Sequence, residues 1–313
     1  MDPNVGVILS TTLKKYRKTL TDNIHKSNAV FYWLKENGAI KEEDGGERIV
    51  EPLMYGKNTT AGSYDGYDTL DTTPQTGIDS AEFQWKQYAV SITISGKEER
   101  QNKGTSRIIN LLEAKTKQAE MSLTEELTTG LFSNGTGNGS KQLTGLLAMV
   151  DDTGTYGGIN SANHSWWRAT DTAVNGALAL ANMRSAMTDA SSGGKDAPNL
   201  IVTDADEYEA YEALVTGTLQ TQGPSSKKLG DAGYQTLEYK GVPIVWDELC
   251  TAGYMFFLNT RHMKLVVHKD ANFDVTDFQQ PEAQDAKIAK ILFMGNLTCN
   301  RRASFARLTG LTD

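Results

Sequence analysis

Glu47-Arg48-Ile49-Val50-Glu51-Pro52-Leu53-Met54-Tyr55 and Phe83-Gln84-Trp85-Lys86-Gln87-Tyr88-Ala89-Val90-Ser91-Ile92-Thr93-Ile94-Ser95 read as the two arms of one long β-hairpin. In the return arm Val90, Ile92 and Ile94 alternate with Ser91, Thr93 and Ser95, the period of two that a half-buried strand requires. Phe83 and Trp85 alternate on the other parity, so the phase slips near Gln87 and predicts a β-bulge with a bend. Between the arms, Gly56 to Ser80 is mostly Gly, Thr, Asp, Asn and Tyr. An isolated hairpin is marginally stable in water, and a compact monomer rarely carries so long a loop without a use for it. The expectation is a hairpin without a core of its own, completed by another copy of the chain.

The composition agrees with a folded, assembling protein. Of 313 residues 39% are hydrophobic, enough for a core, and the length allows one or two domains. The formal net charge of -8 argues against a dedicated nucleic-acid binder, which carries a basic face and a basic total. Cys250 and Cys299 lack metal-ligand spacing and form no disulfide framework. The N-terminus has no basic region leading into an apolar signal segment, and no stretch reaches the roughly 18 apolar residues that span a bilayer.

Outward from the hairpin, residues 4–26 show an apolar stripe of Leu9, Leu13, Tyr16, Leu20 and Ile24 at helical spacing. Six Lys/Arg against three Asp/Glu from Met1 to Asn37 make this arm locally basic. A second helix is expected at Asn28 to Lys35, stopped by Gly38. Thr105 to Leu131 reads as one helix, with Ile108, Leu112, Ala119, Leu123 and Leu127 near one face. It would be about 40 Å long, a beam across a thin subunit. Beyond it the pattern predicts a strand at Leu143 to Val150 and a helix at Ala173 to Ala190. A buried strand at Asn199 to Thr203 and a helix at Asp204 to Val215, capped by Asp204, come next. A mobile loop is expected at Thr216 to Gly233, then strands at Leu237 to Trp246, Tyr254 to Leu258 and Lys264 to His268 and a β tail from Lys287 to Leu308. The fold class is α+β.

No catalytic constellation emerges. There is no GxSxG, HExxH, Walker A or EF-hand loop. Gly135-x-Gly137-x-Gly139 follows a helix rather than a strand and lacks the dinucleotide-binding spacing. His25, His164, His262 and His268 are scattered. The acids Asp204, Asp206, Glu207, Glu209 and Glu212 read as the start and solvated face of a helix. The expectation is no catalytic residue, no cofactor and no metal. Lys287, Lys290, Arg301, Arg302 and Arg307 make the tail basic, suited either to weak contact with DNA or to an acidic patch on a neighbour. The hairpin tip, with Asp65, Asp68, Asp71 and Asp79 against Lys57, is such a patch.

The ordered set of parts resembles tailed-bacteriophage major capsid proteins of the Hong Kong 97-type fold. The parts that carry the resemblance are Asn28 and Leu34 before Gly38, Pro52-Leu53-Met54-Tyr55, Tyr64-Asp65-Gly66-Tyr67, Trp85, Ile94-Ser95-Gly96, the long helix, Thr144-Gly145-Leu146-Leu147, and Gly157-Gly158-Ile159 with Trp166-Trp167. The resemblance implies an N-terminal arm (1–46), an extended loop (47–98), a peripheral domain (99–150 and 271–313) and an axial domain (151–270). It implies hexamers and pentamers that close into an icosahedral shell around double-stranded DNA, in a virion assembled in the bacterial host cytoplasm. The implied partners are other copies of the chain, with a separate scaffolding protein or none, a portal, decoration proteins and weak non-specific contact with packaged DNA. Tyr16, Lys57, Tyr64, Asp65, Tyr67, Asp68, Trp85, Arg301 and Arg302 are the candidate assembly residues. Some members of that family weld the shell by an isopeptide bond, for which Lys57 with Asn296 or Asn300 would be the pair here. The lack of any glutamate from Ala286 to Asp313 argues against it. The nearest rival is an encapsulin-like compartment of the same fold. An enzyme with an assembly-stabilised hairpin, or a tail or surface protein, stands further off.

Overall fold

The computed structural model describes residues 29–101, 105–191, 196–215 and 237–312. The expected helix at 4–26 with Tyr16, His25 and the loop at 216–233 lie outside them. In chain order the elements are α1 (Ala29–Glu36), β1 (Ile40–Glu43), β2 (Ile49–Met54), β3 (Ile78–Phe83), β4 (Lys86–Ser95), α2 (Gly96–Gln101) and α3 (Thr105–Leu131). Then follow β5 (Thr155–Tyr156), β6 (Ile159–Asn160), β7 (Thr170–Gly176), α4 (Leu180–Asp189), β8 (Leu200–Thr203), α5 (Ala205–Val215), β9 (Leu237–Tyr239) and β10 (Val242–Trp246). The chain ends with β11 (Met255–Leu258), β12 (Met263–Val275), β13 (Ala286–Cys299) and β14 (Ala306–Leu311).

Two larger sheets organise the subunit. One has the order β1-β12-β13-β4, the other β7-β14-β11-β8-β10-β9. The hairpin β2-β3 and the small hairpin β5-β6 stand beside them. α3 packs on β4, burying Leu112, Thr116, Ala119, Leu123 and Leu127 at steps of three and four. The six-stranded sheet buries one face against α4 and α5 through Met183, Met187, Tyr208 and Tyr211. Its other face, with Val202, Phe256 and Leu258, joins a core that runs unbroken to Leu265, Ile291 and Leu297 of the four-stranded sheet.

Several local expectations are met by identifiable physics. α1 ends where Gly38, at φ +66°, lets the Ala39 N–H return to the Leu34 carbonyl at 2.8 Å. Asp204 caps α5, its Oδ1 accepting the Glu207 N–H at 3.2 Å. α2 starts with a capping box: the Glu98 N–H donates to Ser95 Oγ at 3.3 Å, and the Ser95 N–H donates to Glu98 Oε2 at 3.0 Å. Lys115 of α3 donates to the same Oε2 and to the Thr93 carbonyl, each at 2.8 Å. That carboxylate therefore ties β4, α2 and α3 together.

The Lys115 hydrogen bond, followed by those from Ser95, holds the Glu98 carboxyl down at about 2. A glutamate in an unfolded chain titrates near about 4.3. The bound form is thus favoured fully above that value, and its stabilisation is lost as pH falls through the folded value. Glu98→Gln is expected to lower the melting temperature near neutrality. The gap from the unmodified protein should close as the pH is taken from about 4.3 towards about 2. Parallel melting curves of the two proteins across that range check it.

Other expectations are corrected. The return arm is two strands, not one bulged strand. It breaks at Gln84–Trp85, after β3 has paired with β2 and before β4 pairs with β13 from Lys86↔Gly295 to Ser95↔Ala286. The parity slip records a change of sheet. Residues 143–150 form a helical turn at Leu146–Met149 rather than a strand. The expected helix from Ala173 is a strand to Gly176 and then α4, because β7 pairs in parallel with β14. Leu237 to Trp246 is a hairpin turned at Lys240-Gly241, both at positive φ. The tail does not stay in one sheet. β13 belongs to the four-stranded sheet, and β14 crosses to lie between β7 and β11 in the six-stranded sheet.

Candidate functional site

β2 shows a strict alternation, with Ile49, Glu51 and Leu53 inward and Val50, Pro52 and Met54 outward. With Ala81 and Phe83 of β3, the inward apolar set joins the main core of its own subunit. Burying Ile49, Leu53 and Phe83 stabilises the attachment by about 1.5–3 kcal/mol each. The Phe83 ring meets Tyr156 edge-on at 5.1 Å, and Tyr55 stacks on Trp166 at 4.8 Å. Gly157, at φ +58°, passes so close that an added Cβ would meet Ala81 and Phe83 at 2.9 Å. Inward Glu51 accepts from Thr298 Oγ1 at 3.3 Å and lies 3.6 Å from Lys264 Nζ. The expectation that the hairpin lacks any core of its own is therefore corrected: its base is anchored on the subunit, and the uncovered surface begins further out.

Outward, Met54 is 83% and Ile78 76% exposed, with Val50, Tyr64, Tyr67 and Leu70 also in water. Lys57, Asp65 and Asp68 are exposed too. The hydrogen bonds within the tip are local. The Asp65 N–H donates to Asp68 Oδ2 at 2.9 Å, Thr60 to Asn58 and Thr73 to Asp71, while Thr59 bonds Gln75 across the loop. The structure thus leaves Lys57, Tyr64, Asp65, Tyr67 and Asp68 all exposed on the one loop between β2 and β3, with Asp65 and Asp68 bonded to each other.

The remaining candidates go elsewhere. The Trp85 Nε1–H donates to the Gly46 carbonyl at 2.9 Å, and the ring meets His268 edge-on at 5.6 Å, so it staples the foot of the hairpin. Arg302 is 1% exposed. Its guanidinium donates to the carbonyls of Met149, Ala148, Thr153 and Trp167 at 2.8, 2.9, 3.2 and 3.4 Å and lies over the Tyr156 ring. Burial pulls its pKa below the usual arginine value. The expectation that Arg302 faces a neighbour or DNA is overturned, because these acceptors surround it inside the subunit. Arg301, half exposed, donates to Asp196 at 3.1 Å. Both asparagines of the weighed crosslink are engaged internally: Asn296 donates to the Gln84 carbonyl at 2.8 Å, and Asn300 meets His262 at 2.8 Å.

Sequence reading gave Arg307 to a basic tail facing DNA or a neighbour and missed that it is buried, where it bridges Asp171 at 2.5 Å and Asp151 at 3.4 Å. These acids and Asp152 approach one another from one loop and strand β7, and Arg307 pairs with two of the three. It also missed Lys86, buried at the break between β3 and β4, whose ammonium donates to the Ser140 carbonyl at 2.5 Å and whose pKa burial lowers. Burial raises the thiol of Cys250 and pushes that of Cys299 up to about 12, so both are protonated packing residues.

The architecture is thus two sheets sharing one core and braced by a long helix, with a hairpin anchored at its base and exposed along its loop. Residues 69–312 match the model of the SU10 major capsid protein family. The chain belongs to the SU10 major capsid protein family. It is a virion protein that self-associates into the shell of a phage head. Among curated proteins none matches it in sequence. Among solved structures, this capsid protein is similar to that of the cyanophage A-1(L) capsid asymmetric unit. The TM-score is 0.66 at 16% identity over 88% of this chain and 91% of that one. It is also similar to the capsid of a native GTA particle, at TM-score 0.61 and 11% identity over 92% and 91% of the two chains. The SrpI encapsulin complex from Synechococcus elongatus PCC 7942 shares the fold at TM-score 0.55 and 11% identity over 89% and 87%. The capsid protein has the Hong Kong 97-type fold.

Proposed function

We propose that the subunit forms hexamers and pentamers that close an icosahedral head around double-stranded DNA, and that the hairpin tip lies across a neighbouring copy. The observation that carries this reading is the division of the hairpin. Its base is fixed by buried side chains, while Met54, Tyr64, Tyr67, Leu70 and Ile78 stand uncovered beyond it. An anchored base holds these uncovered side chains close to the subunit surface, where a second copy can bury them. Tyr64 and Tyr67 supply the large amphipathic contacts that interfaces favour, rimmed by Asp65, Asp68 and Lys57. Each contact need not be strong when every copy repeats it in a closed shell.

In this reading the extended loop is 47–98 and the N-terminal arm, with Tyr16, is 1–46. The peripheral unit centres on α3 and the four-stranded sheet, the axial unit on the six-stranded sheet. The strand pairing supports giving β12 to the first and β14 to the second. With Arg301 engaged by Asp196 inside the subunit, the exposed Lys290 is left for weak contact with DNA or a neighbour. The role is mechanical rather than catalytic, and assembly takes place in the bacterial host cytoplasm with a separate scaffolding protein, a portal and decoration proteins. The -8 net charge suits a container that holds DNA by enclosure. Electron microscopy of purified protein tests this: closed particles that package phage DNA are expected, and particles loaded with a protein cargo would select the encapsulin-like reading instead.

A further inference from the structure

Two crossovers carry the C-terminal half of the chain between the sheets. Residues 259–262 lead from β11 to β12, and residues 300–305 lead back from β13 to β14. They run side by side, with Met263 opposite Cys299 and the Asn300 N–H donating to the His262 carbonyl at 3.1 Å. A single carboxylate, from the segment before β8, binds both. Asp196 Oδ2 lies 2.5 Å from His262 Nε2 on the first crossover and 3.1 Å from an Arg301 nitrogen on the second. Asn259 Nδ2 donates to the Asp196 carbonyl at 2.9 Å and to its Oδ1 at 3.0 Å. His262 Nδ1 sits 2.8 Å from Asn300 Oδ1, so both ring nitrogens are engaged.

Burial acts to raise the Asp196 carboxyl, but the His262 and Asn259 hydrogen bonds and the Arg301 charge outweigh it and hold the group below the ordinary aspartate value. The Asp196 backbone is left-handed, at φ +57°. A non-glycine residue keeps that conformation where its surroundings dictate it. Beside these contacts, the Asn199–Thr260 pair and buried Arg302, the junction is filled by apolar side chains, Phe132 facing Phe256 at 6.4 Å with Leu258, Cys299 and Phe305 in the same core. Apolar packing is non-directional and accommodates small rotations, whereas charge-assisted hydrogen bonds fix distance and direction.

We infer that the Asp196 carboxylate is a positioning clamp that sets the angle between the two sheets, and through it the curvature of the shell. The inference rests on the shell-building role of the family. In a closed assembly an angular error repeats at every copy, so a slight opening of one junction changes the radius of the whole.

The experiment is Asp196→Asn in the full chain, assembled and imaged by electron microscopy. The variant is expected to keep its circular dichroism while its shells lose their single diameter and include open sheets. Arg301→Gln, which removes only the half-exposed partner, should broaden the diameters less and in the same way. Asn199→Ala is the control. Asn199 exchanges hydrogen bonds at 2.9 Å with Thr260 on the same crossover without using the carboxylate. It should lower the melting temperature and leave the diameters uniform. Uniform shells from both charge variants overturn the clamp. So does equal broadening by Asn199→Ala, which would mark a general loss of stability. Should Asp196→Asn fail to fold, the Arg301→Gln diameters decide.

Discussion

Arg302→Ala is expected to destabilise the subunit by about 3–5 kcal/mol, the largest effect of any single substitution considered. The side chain supplies donors to four main-chain carbonyls, from Ala148, Met149, Thr153 and Trp167. A hydrogen bond from a charged donor contributes about 1.5–3 kcal/mol. Part of that sum is offset, because the alanine variant no longer holds a desolvated guanidinium inside the protein. What remains is a cavity and a set of carbonyls turned towards a donor that is gone. Since a folded domain is stable by only about 5–15 kcal/mol, much of the margin disappears. Denaturant titration of the unassembled subunit measures it. Arg302→Lys separates charge from shape: three donors at one point cannot reach carbonyls spread around a planar fork, so lysine should recover less than half of the loss. A change below about 1 kcal/mol for the alanine variant would mean that water replaces the guanidinium without cost.

Arg302 also shows where sequence reading stops. Arginine is almost never fully buried unless its donors are met, so an Arg301-Arg302 pair near the end of a β stretch reads as surface. The donors are met by carbonyls about 150 residues earlier in the chain, which no local pattern announces. The same holds for Asp196 with His262, for Arg307 with Asp151 and Asp171, and for the parallel pairing of β1 with β12. By contrast α3 was legible at both ends, because its apolar stripe repeats every three to four residues and depends on nothing distant. The capping of α5 and the stop at Gly38 were legible for the same local reason. The hairpin lies between these cases. Its alternation was clear, but which sheet each segment joined depended on partners far away. The parity slip carried the right information, a discontinuity near residues 84–87, and was read as a bulge because a change of sheet cannot be seen from one strand. The exposed tip was legible through composition: Gly, Asp, Asn and Thr with interspersed tyrosines mark a loop that forms no core by itself.

Excision of that tip is expected to separate assembly from folding. The replacement of residues 57–76 by a two-residue Asn-Gly turn is feasible because the neck is narrow. The Tyr55 N–H bonds the Gly77 carbonyl at 2.9 Å, and a Cβ added to Gly56 would lie 3.0 Å from the Gly77 Cα. The removed residues are almost all exposed, and the hydrogen bonds among them stay within the tip. The shortened loop lowers the entropic cost of closure, by about 2 kcal/mol on ideal-chain scaling. The melting temperature of the free subunit should therefore hold or rise by a few degrees. Shell formation should fall sharply, because each copy loses its contact with a neighbour. If that contact contributes about 2 kcal/mol, the association constant per interface drops more than tenfold, and a closed shell multiplies the loss over every copy. Tyr64→Ala with Tyr67→Ala should reproduce most of the defect without shortening the chain, since exposed aromatic anchors carry a disproportionate share of interface energy. Size-exclusion chromatography and electron microscopy of the variants read the outcome. Normal shells from the excised chain would show that the tip is dispensable and would move the search for the subunit contact to the outward face of β2, where Val50 and Met54 remain.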